Sequence, residues 1–393
     1  MNMASKLLFI VLSSLLFTIV VSGCGTKDNT SNQAATTDNS LSSPANVQCT
    51  AGTKSTTMGW DTVLNAKLYN IYFNTTGGVT TSDNKIPNVS TGFQHTGLLD
   101  KSTYYYVVTA VNDSGESLPS AEVSATTNAF KLPDTGQTQP YTDEFGEDSD
   151  YLINPPSYVD NGDGTQTDIN TGLTWYISSN QGTWDQALSY CETLTFADYS
   201  DWRLPSAKEL VYTADYDLFS SSYYWASTSN DFNADFAWVV SLPNGAAFIK
   251  IITDSYNIQC VREHQYTGQS FIDNGDETVT DINTDLMWQQ SFFNEDGFEP
   301  ALSYCENLVL ALYDDWRLPN VKELLSIVDH EKHWPSIDTT YFPSTHGQYY
   351  WSSTTDAASP HYIWHVKFDI GRIITRLKSS TGSKYIRCVR TIQ

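Results

Sequence analysis

The sequence predicts a multidomain chain: an all-β module followed by two copies of one α+β unit. Three observations predict it. Landmarks recur in the same order at a nearly fixed offset, which marks an internal repeat. Residues 44–127 consist of short alternating runs, the period-2 pattern of strands. Each copy opens with apolar residues at helical spacing and closes in strand-like runs.

The N-terminus carries Lys6, then the apolar run "LLFIVLSSLLFTIVV" (Leu7–Val21), then small residues before a lone cysteine, "VSGC" (Val21–Cys24). This order resembles a bacterial lipobox. The resemblance implies a signal peptide over 1–23, a lipid on Cys24 and attachment to a membrane. With Gly25 following, it implies the outer membrane of the cell envelope, facing periplasm or exterior. A plain signal peptide or anchor helix is the alternative. Residues 24–43 hold almost no large apolar side chain. They cannot bury enough surface to fold, and form a disordered tether.

Residues 44–127 place "TTMGW", "LYNIYF" and "TYYYVVTAV" between the turn signals "TTGG" and "NDSG". Trp60, Tyr69, Ile71, Tyr104, Tyr106, Val108 and Val111 are the candidate core. Trp60, the corner at Leu98, Tyr106 and "VNDSGES" followed by "EVSATT" resemble a fibronectin type III domain. That resemblance implies a seven-stranded sandwich serving as a spacer or a protein-binding unit. Residues 128–158 form a Pro- and Asp-rich junction, whose aromatics suggest packing on the first repeat.

The repeats span 159–264 and 265–393. "ALSYCE" occurs at Ala187–Glu192 and, 114 residues later, at Ala301–Glu306. "DWRLPSAKEL" (Asp201–Leu210) returns as "DWRLPNVKEL" (Asp315–Leu324), and "YWAST" (Tyr224–Thr228) as "YWSST" (Tyr350–Thr354). Trp184, Ala187, Leu188, Cys191 and Leu194 share one face of a helix. A second helix starts after Pro205, with Ser206 and Glu209 as a capping box; Asn320 and Glu323 are the variant. The tails are hairpins around "PNG" and "DIG", closing on "CVR". The second copy has a longer middle, Val328–Gly347, an enlarged loop.

Six cysteines divide by position. Cys24 goes to lipid. Cys191 with Cys260, and Cys305 with Cys388, stand at matching landmarks, so an exported protein would carry one disulfide per repeat. Cys49 has no partner. No CxxC or clustered Cys/His exists, which argues against zinc.

The combination of "DNGDGT", "LTW", "WRLP", "KEL", "YWSST" and "RCVR" resembles the Lcl C-terminal domain family, twice over about 134–393. The plan of two early helices, a later sheet and a long-range disulfide resembles the C-type lectin-like fold. Together they imply a surface binding domain, with adhesion or glycosaminoglycan binding in the namesake, a collagen-like bacterial adhesin. The calcium-and-sugar signatures of true C-type lectins are absent.

The net charge of −24 argues against nucleic acid. "DNGDGTQTD" offers Asp160, Asp163 and Asp168 as calcium ligands, but lacks the EF-hand spacing; a tight turn explains it as well. "DHEKHW" (Asp329–Trp334) puts its histidines three apart, not the four of HExxH. Trp202, Trp316, Trp225 and Trp351 are either core residues or stacking platforms for sugar rings. No nucleophile elbow, phosphate loop or Ser-His-Asp order is visible, so the expectation is a protein without enzymatic activity and without cofactor. One charged stretch stands out. Trp364–Arg390 carries Lys367, Arg372, Arg376, Lys378, Lys384, Arg387 and Arg390 against Asp369 alone. Strand alternation puts Arg372, Arg376 and Lys378 on one face. With Lys367 they form a candidate polyanion site, or a solvated face balanced by nearby acids. The expected function is extracellular binding or adhesion, with a polysaccharide, a sulfated glycan or a protein as ligand. The alternative is a structural envelope component engaging other proteins.

Overall fold

The computed structural model describes residues 40–176, 179–214, 216, 221–230, 233–263, 269–294, 296–382 and 384–392. The signal peptide, Cys24 and most of the tether lie outside the described residues. Residues Leu41–Gln393 form one compact unit.

The N-terminal module is a two-sheet sandwich. Gln48–Gly52, Ser55–Gly59 and Phe93–His95 form one sheet. Leu68–Asn74 and Thr103–Asn112 are the centre of the other. The seventh strand is broken in two: Gly115–Glu116 and Val123–Thr126 both pair with Thr103–Asn112. Pro119 lies between them and has no N–H to give to a ladder. Met58, Trp60, Tyr69, Ile71, Tyr104, Tyr106 and Val108 fill the core. Val111 stays half-buried at the strand end. Tyr106 keeps its hydroxyl satisfied inside the core through Thr56 Oγ1 at 2.8 Å.

Four α-helices occur among the described residues: α1 (Trp184–Thr193), α2 (Ala207–Thr213), α3 (Phe298–Glu306) and α4 (Val321–Ser326). Ser206 with Glu209 caps α2, and Asn320 with Glu323 caps α4. Pro300 sits in the first turn of α3, where no N–H is needed. Disulfides Cys191–Cys260 and Cys305–Cys388 tie the first helix of each repeat to its closing strand.

Each repeat contributes a small four-stranded sheet and half of a larger one. In the small sheet the "DNGD" hairpin pairs with the "LTW" or "LMW" strand, which pairs with the closing "CVR" strand. The larger halves run Gln181–Gly182, Tyr256–Asn257, Ser221–Ser229, Phe236–Pro243, Ala247–Ile251, and in reverse Arg372–Leu377, Tyr362–Lys367, Tyr349–Thr355, Lys384–Ile386, Phe293–Asn294. Ala247 pairs with Ile373, and the two halves become one ten-stranded sheet. The repeats are therefore fused edge to edge, not strung as beads, and the fusion removes two exposed strand edges.

A shared core follows the shared sheet. Leu210, Val211, Trp238 and Val240 of the first repeat pack with Leu324, Leu325, Trp364 and Val366 of the second. Smaller clusters around each disulfide hold Trp202 and Trp225, or Trp316 and Trp351. All four tryptophans are buried, so they define the fold and present no ring to a sugar.

The duplicated decapeptide builds this body. Arg203 and Arg317 make bidentate pairs with Glu209 and Glu323, six residues on, at 2.5–2.8 Å. Asp201 and Asp315 receive Arg262 and Arg390 from the closing strands. Lys208 Nζ donates to the Ser326 carbonyl at the end of α4. Reciprocally, Lys322 Nζ donates to the Tyr212 carbonyl in α2 at 2.9 Å and to the Asp134 carbonyl at 2.7 Å. Each lysine thus caps the other repeat's helix, where carbonyls lack partners and favour a cation.

The junction meets its expectation only in part: at its start Phe130 packs on Tyr212 of the first repeat, ring centres 6.2 Å apart, and the Thr135 carbonyl accepts from the Tyr216 N–H. Its middle packs on the second repeat: Gln137 brackets the Thr355 backbone, Asp148 accepts from Thr354 Oγ1 and Glu147 from Thr355 Oγ1. The buried carboxylates there need donors, and the hydroxyls of the "YWSST" strand provide them. The enlarged loop also crosses the seam: His330 lies edge-on to Trp238 of the first repeat, ring centres 4.7 Å apart.

Candidate functional site

The cationic stretch of the second repeat is mostly neutralised. Lys367 and Arg372 share buried Asp369. Arg390 pairs with Asp315 and stacks on Tyr313. Arg387 is buried over Phe342 and Tyr350. Arg372 and Arg376 do share a strand face, but the strand ends at Leu377. Lys378 therefore leaves that face and turns to Glu147 and the Tyr141 carbonyl. Burial lowers its affinity for a proton, against the pull of Glu147 and Glu299. The four candidates do not form one cationic face. What remains is a shorter strip, Lys367, Arg372 and Arg376, with Asp369 beneath.

That strip has aromatic walls which the sequence did not single out. Arg376 lies 4.6 Å from the Tyr349 ring centre and bonds its hydroxyl. Lys367 Nζ lies 5.1 Å from the same ring and 5.5 Å from that of Trp334. Trp334 is 60% exposed, unlike the buried tryptophans shared by both copies. Its backbone N–H is fixed on the Asp369 carbonyl. Gly347 runs so close to the indole that a Cβ there would sit 2.7 Å from the ring. The signal available was that Trp334 belongs to the inserted loop, which the first repeat lacks.

The "DNGD" carboxylates are occupied locally. Asp160 accepts from the Gly162 N–H, Asp163 from Thr165, and buried Asp168 from the Asn170 N–H and Thr171 Oγ1. These are side-chain-to-backbone turns, with Gly162 and Gly164 at positive φ as such turns require. Among the described residues no three His, Cys, Asp or Glu side chains gather as a metal site would need.

A second concavity lies where the sandwich meets the first repeat. It has a volume of about 490 Å³ and is lined by Thr57, Gln94, Asn128, Asn161, Tyr199 and Glu263, among others. Arg262 crosses it, bonded to Gln94, Asp201 and Glu263 and stacked 3.6 Å from the Tyr199 ring centre. Burial pushes the Glu263 carboxyl up to about 7, although Arg262 opposes the shift. Most of these groove residues lie outside the repeated motifs, and nothing in the sequence signals that two domains would bring them together.

Comparison with known proteins adds three findings. A poly(3-hydroxybutyrate) depolymerase of Ralstonia pickettii is 38% identical over 91 residues, 22% of this chain. The chain spans only 17% of that relative's length. This kinship to an enzyme overturns the expectation of a chain without enzymatic activity. Among solved structures, an Fn3-like protein from Clostridium thermocellum is 26% identical, matching 23% of this chain and 98% of its own, with a TM-score of 0.21. The FN5 domain of Drosophila Lar is 25% identical, with the same coverage and a TM-score of 0.20. The model of the Lcl C-terminal domain matches residues 164–262 and again 277–390. Those two stretches make up more than half of the chain, which belongs to the Lcl C-terminal domain family.

Proposed function

We propose that the chain is a surface-anchored extracellular binding protein, held at the bacterial outer membrane by a lipid on Cys24. The tether and the sandwich space two fused, C-type lectin-like repeats away from that membrane. The second repeat holds an acidic polysaccharide. The observation that carries this reading is the exposed Trp334 ring beside Lys367, Tyr349 and Arg376. An indole face suits the apolar face of a sugar ring, and neighbouring cations suit its carboxylate or sulfate, with Arg adding bidentate geometry. The test is binding of heparin, polygalacturonate and dextran to the whole chain. An acidic polymer should bind, dextran should not, and Trp334→Ala should weaken binding at least tenfold. Equal binding by the variant removes this site. The depolymerase kinship favours a second reading, in which the chain serves the breakdown of a polymer. Release of soluble product from poly(3-hydroxybutyrate) by the purified chain would support it.

A further inference from the structure

The groove between the sandwich and the first repeat has the size of an ordinary small-ligand site, and sits at a domain boundary where such sites concentrate. Its side chains are unlike those of the Trp334 strip. The Thr57 hydroxyl and the Asn128 amide make no hydrogen bond within the described residues, and both residues are exposed. Gln94 gives its carbonyl oxygen to Arg262 and an amide N–H to the Glu263 carboxyl, which leaves one amide N–H for a partner. Asn161 spends both amide N–H groups on Thr165 and Thr167, and its carbonyl oxygen is what it adds to the groove, as an acceptor.

The charge balance narrows the ligand. Arg262 is already matched by Asp201 and Glu263. Asp163 lines the same groove, so an anion would meet net negative charge. The Tyr199 ring is held in place by the Arg262 guanidinium against it. Glu263 keeps that guanidinium oriented at some cost. Its backbone stands at φ +82°, a strained conformation for a residue with a side chain, and its Oε2 is buried without a hydrogen bond. The matching residue of the second repeat, after Arg390, is Thr391, which has no carboxylate to hold an arginine and no positive φ. Strain of this sort, found in one copy and placed in a cleft, is the pattern of a built site.

We propose that this groove binds a neutral saccharide unit, with Thr57, Gln94, Asn128 and Asn161 bonding its hydroxyls and Tyr199 offering a ring face. Glu263 is a positioning residue that acts through Arg262. The site is separate from the Trp334 strip, so the two stand or fall independently. The test titrates the whole chain with maltotriose, cellotriose and chitotriose by saturation-transfer NMR and calorimetry. At least one of the three binds. Thr57→Trp, which fills the groove from an exposed strand position, and Gln94→Ala/Asn128→Ala each weaken that binding tenfold or more. Trp334→Ala leaves it unchanged, and Glu263→Gln, which keeps the side-chain shape, weakens it less than Glu263→Ala. Circular dichroism of each variant confirms the fold. Absence of binding by all three sugars, or binding that survives Thr57→Trp, overturns the proposal. So does a preference for a sulfated trisaccharide at this groove.

Discussion

Replacing Lys322 by Met removes one ammonium group and keeps most of the stem. The side chain is fully buried. The substitution leaves the carbonyls of Asp134 and Tyr212 without the donor that now stands at 2.7 and 2.9 Å. Each orphaned acceptor costs about 1–3 kcal/mol. The charge also offsets the Asp134 carboxylate, which burial already drives up to about 6. Against these losses, Met avoids desolvating an ammonium ion, a term of several kcal/mol in the other direction. The expected net loss is about 3 kcal/mol, within the range for breaking a buried ionic network. For a unit this large it should lower the melting temperature by roughly 4 °C. The control is Lys208→Met. Lys208 is only half-buried and holds the Ser326 carbonyl at 3.0 Å, so its loss should cost about 1 kcal/mol. Thermal and guanidinium unfolding of both variants, followed by near-ultraviolet dichroism, measures the difference. A Lys322→Met variant as stable as the wild type would rule out the reciprocal joint between α2 and α4.

Reducing both disulfides should cost about 4 kcal/mol each, because they close loops of 69 and 83 residues; unfolding with and without reductant checks this, and Cys49 should be the single thiol that reacts before reduction in the mature chain with Cys24 lipidated. Glu263 makes stability depend on pH. Its folded pKa of about 7 lies above the ordinary value of 4.5, so the folded state binds the proton more tightly and stability falls as pH rises from about 4.5 to 7. The loss is up to about 3 kcal/mol. Asp201, Arg262 and Arg203 face the carboxyl and are present in both proteins compared, so wild type minus Glu263→Gln isolates its share; identical pH profiles would contradict the assignment. Cys24→Ala should move the protein from the membrane fraction to the soluble one or block its processing, and an unchanged distribution would end the lipid-anchor reading.

Much of each repeat was legible because its signals are local. Helix caps at Ser206 and Asn320, the hairpins around Gly245 and Gly371, and the matching cysteines each depend on a few neighbouring residues. The fusion of the repeats was not legible. Leu210 and Val211 have the same apolar pattern whether they face their own sheet or another repeat, and one pair, Ala247 with Ile373, joins the sheets. The repeated lysine of the "KEL" motif looks like any helix-surface charge until the second helix is placed against it. The cation count misleads for a related reason. Seven positive side chains stand close in sequence, but their partners Asp315 and Glu147 lie far away in it. Alternation holds as far as Arg376 and fails at Lys378, one residue past the strand end. Trp334 escapes notice because repetition draws attention to the tryptophans common to both copies, and those are the ones the core consumes.

If the duplicated motif makes one cooperative body of two repeats, binding is left to the features that the copies do not share. Native-state hydrogen exchange on Leu325→Ala shows most directly whether the body is one. Leu325 belongs to the second repeat and is fully buried in the shared core, so the truncation should cost about 2–5 kcal/mol. Amides of Phe236–Pro243 in the first repeat should then lose protection in step with those of Tyr362–Lys367 in the second. A first repeat that keeps its full protection while the second loses it would mean two independent domains.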